Sequence, residues 1–234
     1  MISGKRVIAA MLTALMAVTF TANTAVSVYA TGVTATENAQ TIDAQSTDAQ
    51  ALTPEEQKAQ ELQQVYDMPV ESNGYKDWPQ GPGTYGEAGI VMEVGTGAIL
   101  YAKNIDAHEY PASITKVLTA LVALENGQLT DNVTFSHDSV AFLQRGDSSV
   151  GLKEGNVITL DQAMHAMLLA SANEAAYAIG ESVGVNAGHD YNWFIEQMNS
   201  RCKELGGENS NFANTNGLHD PNHYTCARDM ALIG

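Results

Sequence analysis

A β-hairpin pattern that is followed almost entirely by helical patterns is the feature that most limits the folds open to this chain. Residues 89–94 and 98–103 are two strand-like runs, and the glycine-rich link at residues 95–97 is typical of a hairpin turn. Strands that precede a run of helices predict an α+β fold, with a helical lobe packed on an antiparallel sheet. Helical patterns cover residues 111–125, 160–170 and 174–183, followed by a fourth pattern with Phe194, Met198 and Cys202 on one face.

The N-terminal residues 1–30 have the pattern of a secretory signal peptide. Lys5 and Arg6 precede an apolar run over residues 7–20, which is short for a membrane span. Residues 28–30 then end in alanine, as expected before a signal-peptidase cleavage site. An uncleaved N-terminal anchor is the alternative. Either interpretation places the rest of the chain outside the cytoplasm, secreted to the cell wall or the outer face of the cytoplasmic membrane.

A polar segment separates this leader from the part of the chain that can build a core. Residues 31–52 contain almost no bulky apolar side chains, so they bury too little surface to offset the loss of chain entropy. We therefore expect a low-complexity acidic linker over residues 31–87. It contains one marginal helix, which a capping box at Thr53 starts and which ends near Tyr66. Compact structure is expected to begin near Ala88 and to continue to residue 234.

Charge and cysteine content exclude several classes of function. The net charge of −16 argues against a basic surface for nucleic acid or anionic lipid, and two cysteines cannot supply a four-cysteine zinc site or a disulfide-dense scaffold. His219 and His223 have metal-ligand spacing, but Pro221 prevents a helical pair. The sequence therefore does not favour a zinc site at these histidines. A bond between Cys202 and Cys226 stays open, because the compartment permits it.

Ser113 and Lys116 form the first candidate catalytic pair. In a helix, residues three apart lie on the same face, so the lysine nitrogen can reach the serine oxygen. Serine needs a base to act as a nucleophile, and a desolvated lysine is one such base. A serine at a helix start with a lysine that extends to solvent is the structural alternative.

Ser171 and Asn173 form the second candidate pair, in a turn between two predicted helices. A hydroxyl and an amide two positions apart can face the same cleft, where one relays a proton and the other holds a lysine or a substrate carbonyl. The alternative is that both side chains only cap the following helix.

With these motifs, the chain resembles the serine-type D-alanyl-D-alanine carboxypeptidases, the low-molecular-weight penicillin-binding proteins. Residues 110–117 (YPASITKV) are similar to the family's nucleophile motif, and residues 171–176 (SANEAA) are similar to its second motif. The resemblance implies a penicillin-binding/β-lactamase-like transpeptidase fold. Further similar residues follow in the family's order, at Met198, Asn199, Leu205, Gly206, 212–214, 216–218 and 229–231.

The sequence departs from the family at its third motif, Lys-Thr-Gly, which occurs nowhere in these 234 residues. A chain that is truncated before this motif, with the C-terminal strands missing, is the simplest interpretation, and a degenerate member is the alternative. We accordingly expect low or no activity from this chain alone.

The resemblance implies a mechanism in which Ser113 attacks the carbonyl between the two terminal D-alanines of a peptidoglycan stem peptide. Lys116 takes the serine proton, and Ser171, close to Asn173, helps to protonate the departing D-alanine. β-Lactam antibiotics would act as covalent inhibitors, and the resemblance implies no metal and no organic cofactor. Two alternatives stay open: a β-lactamase-like serine hydrolase, although the sequence has no Glu-x-x-Leu-Asn loop, and a catalytically inert fragment.

Overall fold

A computed structural model describes residues 52–234, and the predicted signal peptide and the start of the predicted linker lie outside these residues. The first part contains α1 (Pro54–Tyr66), a 3₁₀ turn (Glu71–Gly74), β1 (Gly89–Met92) and β2 (Ile99–Lys103). A second 3₁₀ turn (Ala112–Ile114) leads into α2 (Thr115–Asn126), β3 (Asn132–Thr134), α3 (His137–Ala141), β4 (Val157–Thr159), α4 (Leu160–Leu169), α5 (Asn173–Asn186), α6 (Tyr191–Glu204) and α7 (Ala227–Ile233). The predicted α+β class is confirmed.

The strands form two small antiparallel sheets. Strands β1 and β2 pair as the predicted hairpin, with Gly89 opposite Lys103. Strands β3 and β4 pair with Val133 opposite Ile158, and this second sheet was not evident from the sequence because each strand has only three residues. The strand Val157–Thr159 leads directly into α4, which starts with a capping box at Thr159.

The core lies among the helices, with α5 at its centre. Helix α5 packs on α2, α4 and α6, and its small residues allow this close approach. The predicted apolar face of α6 is buried, since Phe194, Met198 and Cys202 are all inside. The other fully covered core side chains include Leu118, Val122, Phe135, Leu160, Met167, Ala175, Ala176, Ala178, Ile179 and Phe212.

Residues before Ala88, where the sequence places the start of compact structure, pack against the hairpin. The Lys103 ammonium is fully buried and donates to the carbonyl oxygens of Val65 and Thr84, both at 2.6 Å. Ser72 Oγ accepts from the amide of Ala102 at 3.2 Å. These contacts move the start of the packed region towards the N terminus. Sequence periodicity missed them because they are polar contacts between residues far apart in the chain.

Both cysteines are buried free thiols, so the bond between Cys202 and Cys226 that the sequence left open is not formed. Burial raises the pKa of the Cys226 thiol to about 11, which keeps it protonated and unreactive. Over residues 52–234, no helix has both the length and the apolar character needed to cross a membrane.

Candidate active site

Ser113 lies in the 3₁₀ turn that leads into α2, and its side chain is exposed to solvent. The preceding residue, Ala112, has a φ of 47°, in the left-handed region that L-residues seldom adopt. Such backbone costs on the order of 1–3 kcal/mol and persists where the surroundings enforce it. Gly217 packs directly against this residue, because any Cβ at position 217 would collide with the Ala112 carbonyl. The strain therefore accompanies the presentation of the Ser113 hydroxyl.

Lys116 lies one turn after Ser113 and is buried, with 2% of its surface exposed. Its Nζ lies 3.1 Å from Ser113 Oγ, 2.9 Å from Asn173 Oδ1 and 2.6 Å from the carbonyl oxygen of Asn216. The alternative in which this lysine extends to solvent is therefore wrong. The three contacts come from three separate parts of the chain, which converge on one nitrogen.

Burial lowers the pKa of Lys116 to about 8, because the charged form loses its hydration. The Glu174 carboxylate opposes this shift by stabilising the ammonium. At a pKa of about 8, the neutral amine is accessible near physiological pH, unlike that of an exposed lysine. Lys116 thus has the protonation behaviour of a general base.

Ser171 lies between α4 and α5 and also has a left-handed backbone, with a φ of 55°. Its hydroxyl donates to Ser113 Oγ at 2.9 Å. The N-cap of α5 is Ala172, with no side-chain hydrogen bond, so the alternative in which Ser171 caps this helix is wrong. The strained turn instead directs the Ser171 hydroxyl at Ser113, and Asn173 at the start of α5 directs its amide oxygen at Lys116.

The loop at residues 213–218 supplies a contact that the sequence analysis missed. The Asn216 carbonyl accepts from Lys116, and Asn214 Oδ1 holds the loop by accepting from the amides of Asn216 and Gly217. The contact with Lys116 uses a main-chain oxygen, so no side-chain motif indicates it. Asn216 and Gly217 belonged only to the family resemblance, which assigned them no role.

His223 is the second feature that the sequence did not reveal. It is 1% exposed, and its Nδ1 accepts from the amides of Ala213 and Asn214 at 3.0 and 3.3 Å. Nε2 therefore carries the proton and donates to Thr115 Oγ1 at 2.8 Å. Burial lowers the pKa of His223 to about 4, so it is neutral at physiological pH. This histidine connects the loop at residues 213–218 to the start of α2.

The hydrogen bonds form a continuous path from Ser171 through Ser113 to Lys116. In such a cluster the lysine can take a proton from an attacking serine, and the second serine hydroxyl can pass a proton to a leaving group. The part of the chain that the structure describes contains no group of three or more His, Cys, Asp or Glu side chains arranged to hold a metal ion. The four side chains that the sequence singled out, Ser113, Lys116, Ser171 and Asn173, are together in one cluster.

Comparison with known proteins places this geometry in a family. The profile of the D-alanyl-D-alanine carboxypeptidase family matches residues 79–234, and the match includes the whole cluster. The chain belongs to this family. It is 35% identical to the D-alanyl-D-alanine carboxypeptidase DacA of Haemophilus influenzae over 150 residues, which cover 62% of this chain and 37% of that protein. It is 33% identical to the carboxypeptidase DacF of Bacillus subtilis, covering 63% and 37% of the two chains.

Solved structures agree with this assignment. Penicillin-binding protein 5 of Haemophilus influenzae has a TM-score of 0.59 and 32% identity, covering 67% of this chain and 46% of that one. The Streptomyces K15 DD-transpeptidase has a TM-score of 0.56 and 30% identity, covering 62% and 57%. The expected penicillin-binding, transpeptidase-like fold is confirmed. The chain spans a little over a third of the length of the curated relatives it matches.

Proposed function

We propose that this chain carries the nucleophile and general-base part of a serine-type D-alanyl-D-alanine carboxypeptidase. The substrate is a peptidoglycan stem peptide that ends in D-Ala-D-Ala, and the product is the peptide shortened by one D-alanine. The names of the related carboxypeptidases and the arrangement around Ser113 support this proposal. Because peptidoglycan lies outside the cytoplasmic membrane, the proposed site of action is the cell wall or the outer membrane face.

The observation that carries the proposal is the orientation of the Lys116 nitrogen. Two of its three partners, Asn173 Oδ1 and the Asn216 carbonyl, are oxygens that only accept hydrogen bonds. A neutral amine has two N–H groups, and these two oxygens take both. The lone pair then faces Ser113 Oγ at 3.1 Å, where it can receive the serine proton.

In the first step, Ser113 Oγ bonds to the carbonyl carbon between the two D-alanines and transfers its proton to Lys116. The amide C–N bond then breaks, and the departing D-alanine amine takes a proton from the Ser171 hydroxyl. The Lys116 ammonium then returns its proton to Ser171, and Ser113 Oγ, which now carries the acyl group, takes no part in this transfer. Water hydrolyses the resulting ester and regenerates the serine. The backbone amide of Ser113 is one proposed donor to the oxyanion of each tetrahedral intermediate.

Penicillins and other β-lactams are the proposed covalent inhibitors. Their strained amide presents the same carbonyl to Ser113, and the leaving nitrogen stays attached after the ring opens. The acyl-enzyme is therefore expected to persist, and it provides a direct label for the nucleophile.

Labelling of the full-length protein with a fluorescent penicillin, followed by peptide mapping, tests the proposal. We expect one label, on Ser113, and none in Ser113→Ala. Ser148→Ala is the matched control, because this serine is exposed and contributes only its carbonyl, to the Asn173 amide. Retained label in Ser113→Ala would overturn the assignment. Release of D-alanine from a D-Ala-D-Ala tripeptide supports the carboxypeptidase, whereas rapid penicillin turnover without D-alanine release indicates the β-lactamase alternative.

A further inference from the structure

A short exposed segment, residues 148–151, is attached to the first turn of α5 through one buried carboxylate. Residues 148–151 run past the start of α5, and the carbonyl of Ser148 accepts from the Asn173 amide at 2.9 Å. The next residue of α5, Glu174, has none of its surface exposed. A fully buried carboxylate is costly unless it is compensated, so its partners show what it does.

Glu174 directs one carboxylate oxygen at the segment. Its Oε1 accepts from Ser149 Oγ at 2.7 Å, from the Val150 amide at 2.8 Å and from the Gly151 amide at 3.2 Å. Hydrogen bonds from neutral donors to an ionised acceptor are among the strongest in proteins. Together with the bond that the Ser148 carbonyl accepts from the Asn173 amide, these hydrogen bonds attach the segment 148–151 to the first turn of α5. The other oxygen, Oε2, is buried and has no hydrogen-bond partner.

The same turn of α5 carries Asn173, which orients Lys116. A carboxylate that anchors the residue next to Asn173 therefore acts on the position of the amide oxygen at Lys116. Its charge also acts on the lysine through the low-dielectric interior, where a charge is weakly screened. Both effects come from Glu174, but they can be separated. The effect on the position of Asn173 depends on the length of the Glu174 side chain, whereas the effect on Lys116 depends on its charge.

We propose that Glu174 is a positioning residue that holds Asn173 against the general base Lys116 and places a buried negative charge on the same turn of α5. The inference rests on the proposed function, since it assigns Lys116 the role of base. Glu174 touches neither Ser113 nor the reacting atoms in this arrangement. It acts through Asn173 and through its charge.

The other titratable groups near the start of α2 do not duplicate this charge. His223, from the segment that packs under Thr115, is neutral because burial lowers its pKa to about 4. Tyr191, on α6, is neutral because burial raises its pKa to about 12. The ion pair of Arg201 with Glu125 lies at the far end of α2. Glu174 is thus the charge that opposes the desolvation of Lys116.

The test is the pH dependence of acylation by a fluorescent penicillin, measured on the full-length protein and on Glu174 variants. Glu174→Gln keeps the length and removes the charge. We expect the acidic limb of its profile to move down by about 0.5–1 pH unit, because the ammonium loses its stabilising charge. Glu174→Asp keeps the charge and shortens the reach. We expect its limb to stay in place while the maximal rate falls about tenfold, since misplacement of a catalytic group is costly.

Glu181→Gln is the matched control, because this residue also lies on α5 and has a buried carboxylate oxygen without a partner. We expect its pH limb and maximal rate to match those of the unmodified protein. A Glu174→Gln variant with an unmoved limb would overturn the inference, whether its thermal stability falls or not. An equal shift in Glu181→Gln would also overturn it, since any charge on α5 would then suffice. If Ser113 is labelled but these variants behave alike, the inference fails and the proposed function stands; if Ser113→Ala is still labelled, the proposed function fails.

Discussion

Two regions of the molecule each bury a lysine, and they use it differently. In the hairpin region, Lys103 Nζ donates to the carbonyls of Val65 and Thr84, both at 2.6 Å, and its contact with the Thr84 hydroxyl is long, at 3.5 Å. In the helical region, Lys116 Nζ has two carbonyl-type acceptors and the exposed hydroxyl of Ser113. Burial of a lysine is therefore not by itself a sign of catalysis.

The two lysines differ in the purpose that their hydrogen-bond partners serve. Around Lys103, the acceptors attach residues 65–84 to the hairpin and thus serve packing. Around Lys116, two acceptors, Asn173 Oδ1 and the Asn216 carbonyl, occupy two positions, and the third position faces the Ser113 hydroxyl, the proposed nucleophile. The comparison predicts that replacement of Lys116 affects the rate of acylation, whereas replacement of Lys103 affects the free energy of unfolding.

Removal of Lys116 is the largest expected effect. In Lys116→Ala, Ser113 loses its proton acceptor, and we expect acylation by penicillin to slow by about 10² to 10⁴, the usual contribution of a positioned base. Stopped-flow or gel-based labelling of the full-length protein measures this rate. The comparison breaks if Lys103→Met slows acylation by as much, when rates are normalised to the folded fraction.

The pH profile of acylation is the next largest effect. Lys116 must be neutral to accept a proton, and its pKa is lowered to about 8 by burial. The rate should rise about tenfold per pH unit below this value and level off above it, a total of roughly hundredfold between pH 6 and pH 9. A rate that is flat over this range, with Ser113 still labelled, would remove Lys116 from the role of base.

Replacement of Lys103 has the opposite signature. In Lys103→Met, the carbonyls of Val65 and Thr84 lose their donor, and we expect a loss of about 2 kcal/mol in the free energy of unfolding. Urea denaturation measures the loss, and limited proteolysis should show earlier cleavage within residues 65–84. Unchanged stability and unchanged cleavage would mean that this segment does not depend on Lys103.

The sequence predicts well what short-range geometry determines. The spacing of Ser113 and Lys116 places them on one helical face, and Ser171 and Asn173 at the start of α5 reach them by hydrogen bonds. The capping boxes at Thr53 and Thr159 likewise mark the helix starts, because each involves contacts three residues apart.

Contacts between distant residues were beyond the reach of such patterns. The Asn216 carbonyl is a main-chain atom that any residue type could supply, so no side-chain pattern marks it. The burial of Lys103 under residues 65–84 depends on tertiary packing, which the polar, aperiodic sequence of that segment does not indicate. The same applies to His223, whose partners lie 9 and 10 residues before it and at Thr115, 108 residues before it.

His223 provides the smallest expected effect and sharpens the comparison, because it is buried beside the candidate catalytic cluster but bonds to Thr115, Ala213 and Asn214 instead. Burial lowers its pKa from 6.5 to about 4, so the unfolded chain binds the proton more readily than the folded one. Its contribution to stability is therefore present above pH 6.5 and is lost as the pH falls towards 4. Between pH 7 and pH 5.5 the expected loss is about 1 kcal/mol.

Urea denaturation of the unmodified protein and of His223→Gln at both pH values isolates the contribution of His223 to the free energy of unfolding, because the other titrating groups are the same in the two proteins. If the two proteins lose equal stability over this interval, His223 does not hold the loop at residues 213–218 in its neutral form.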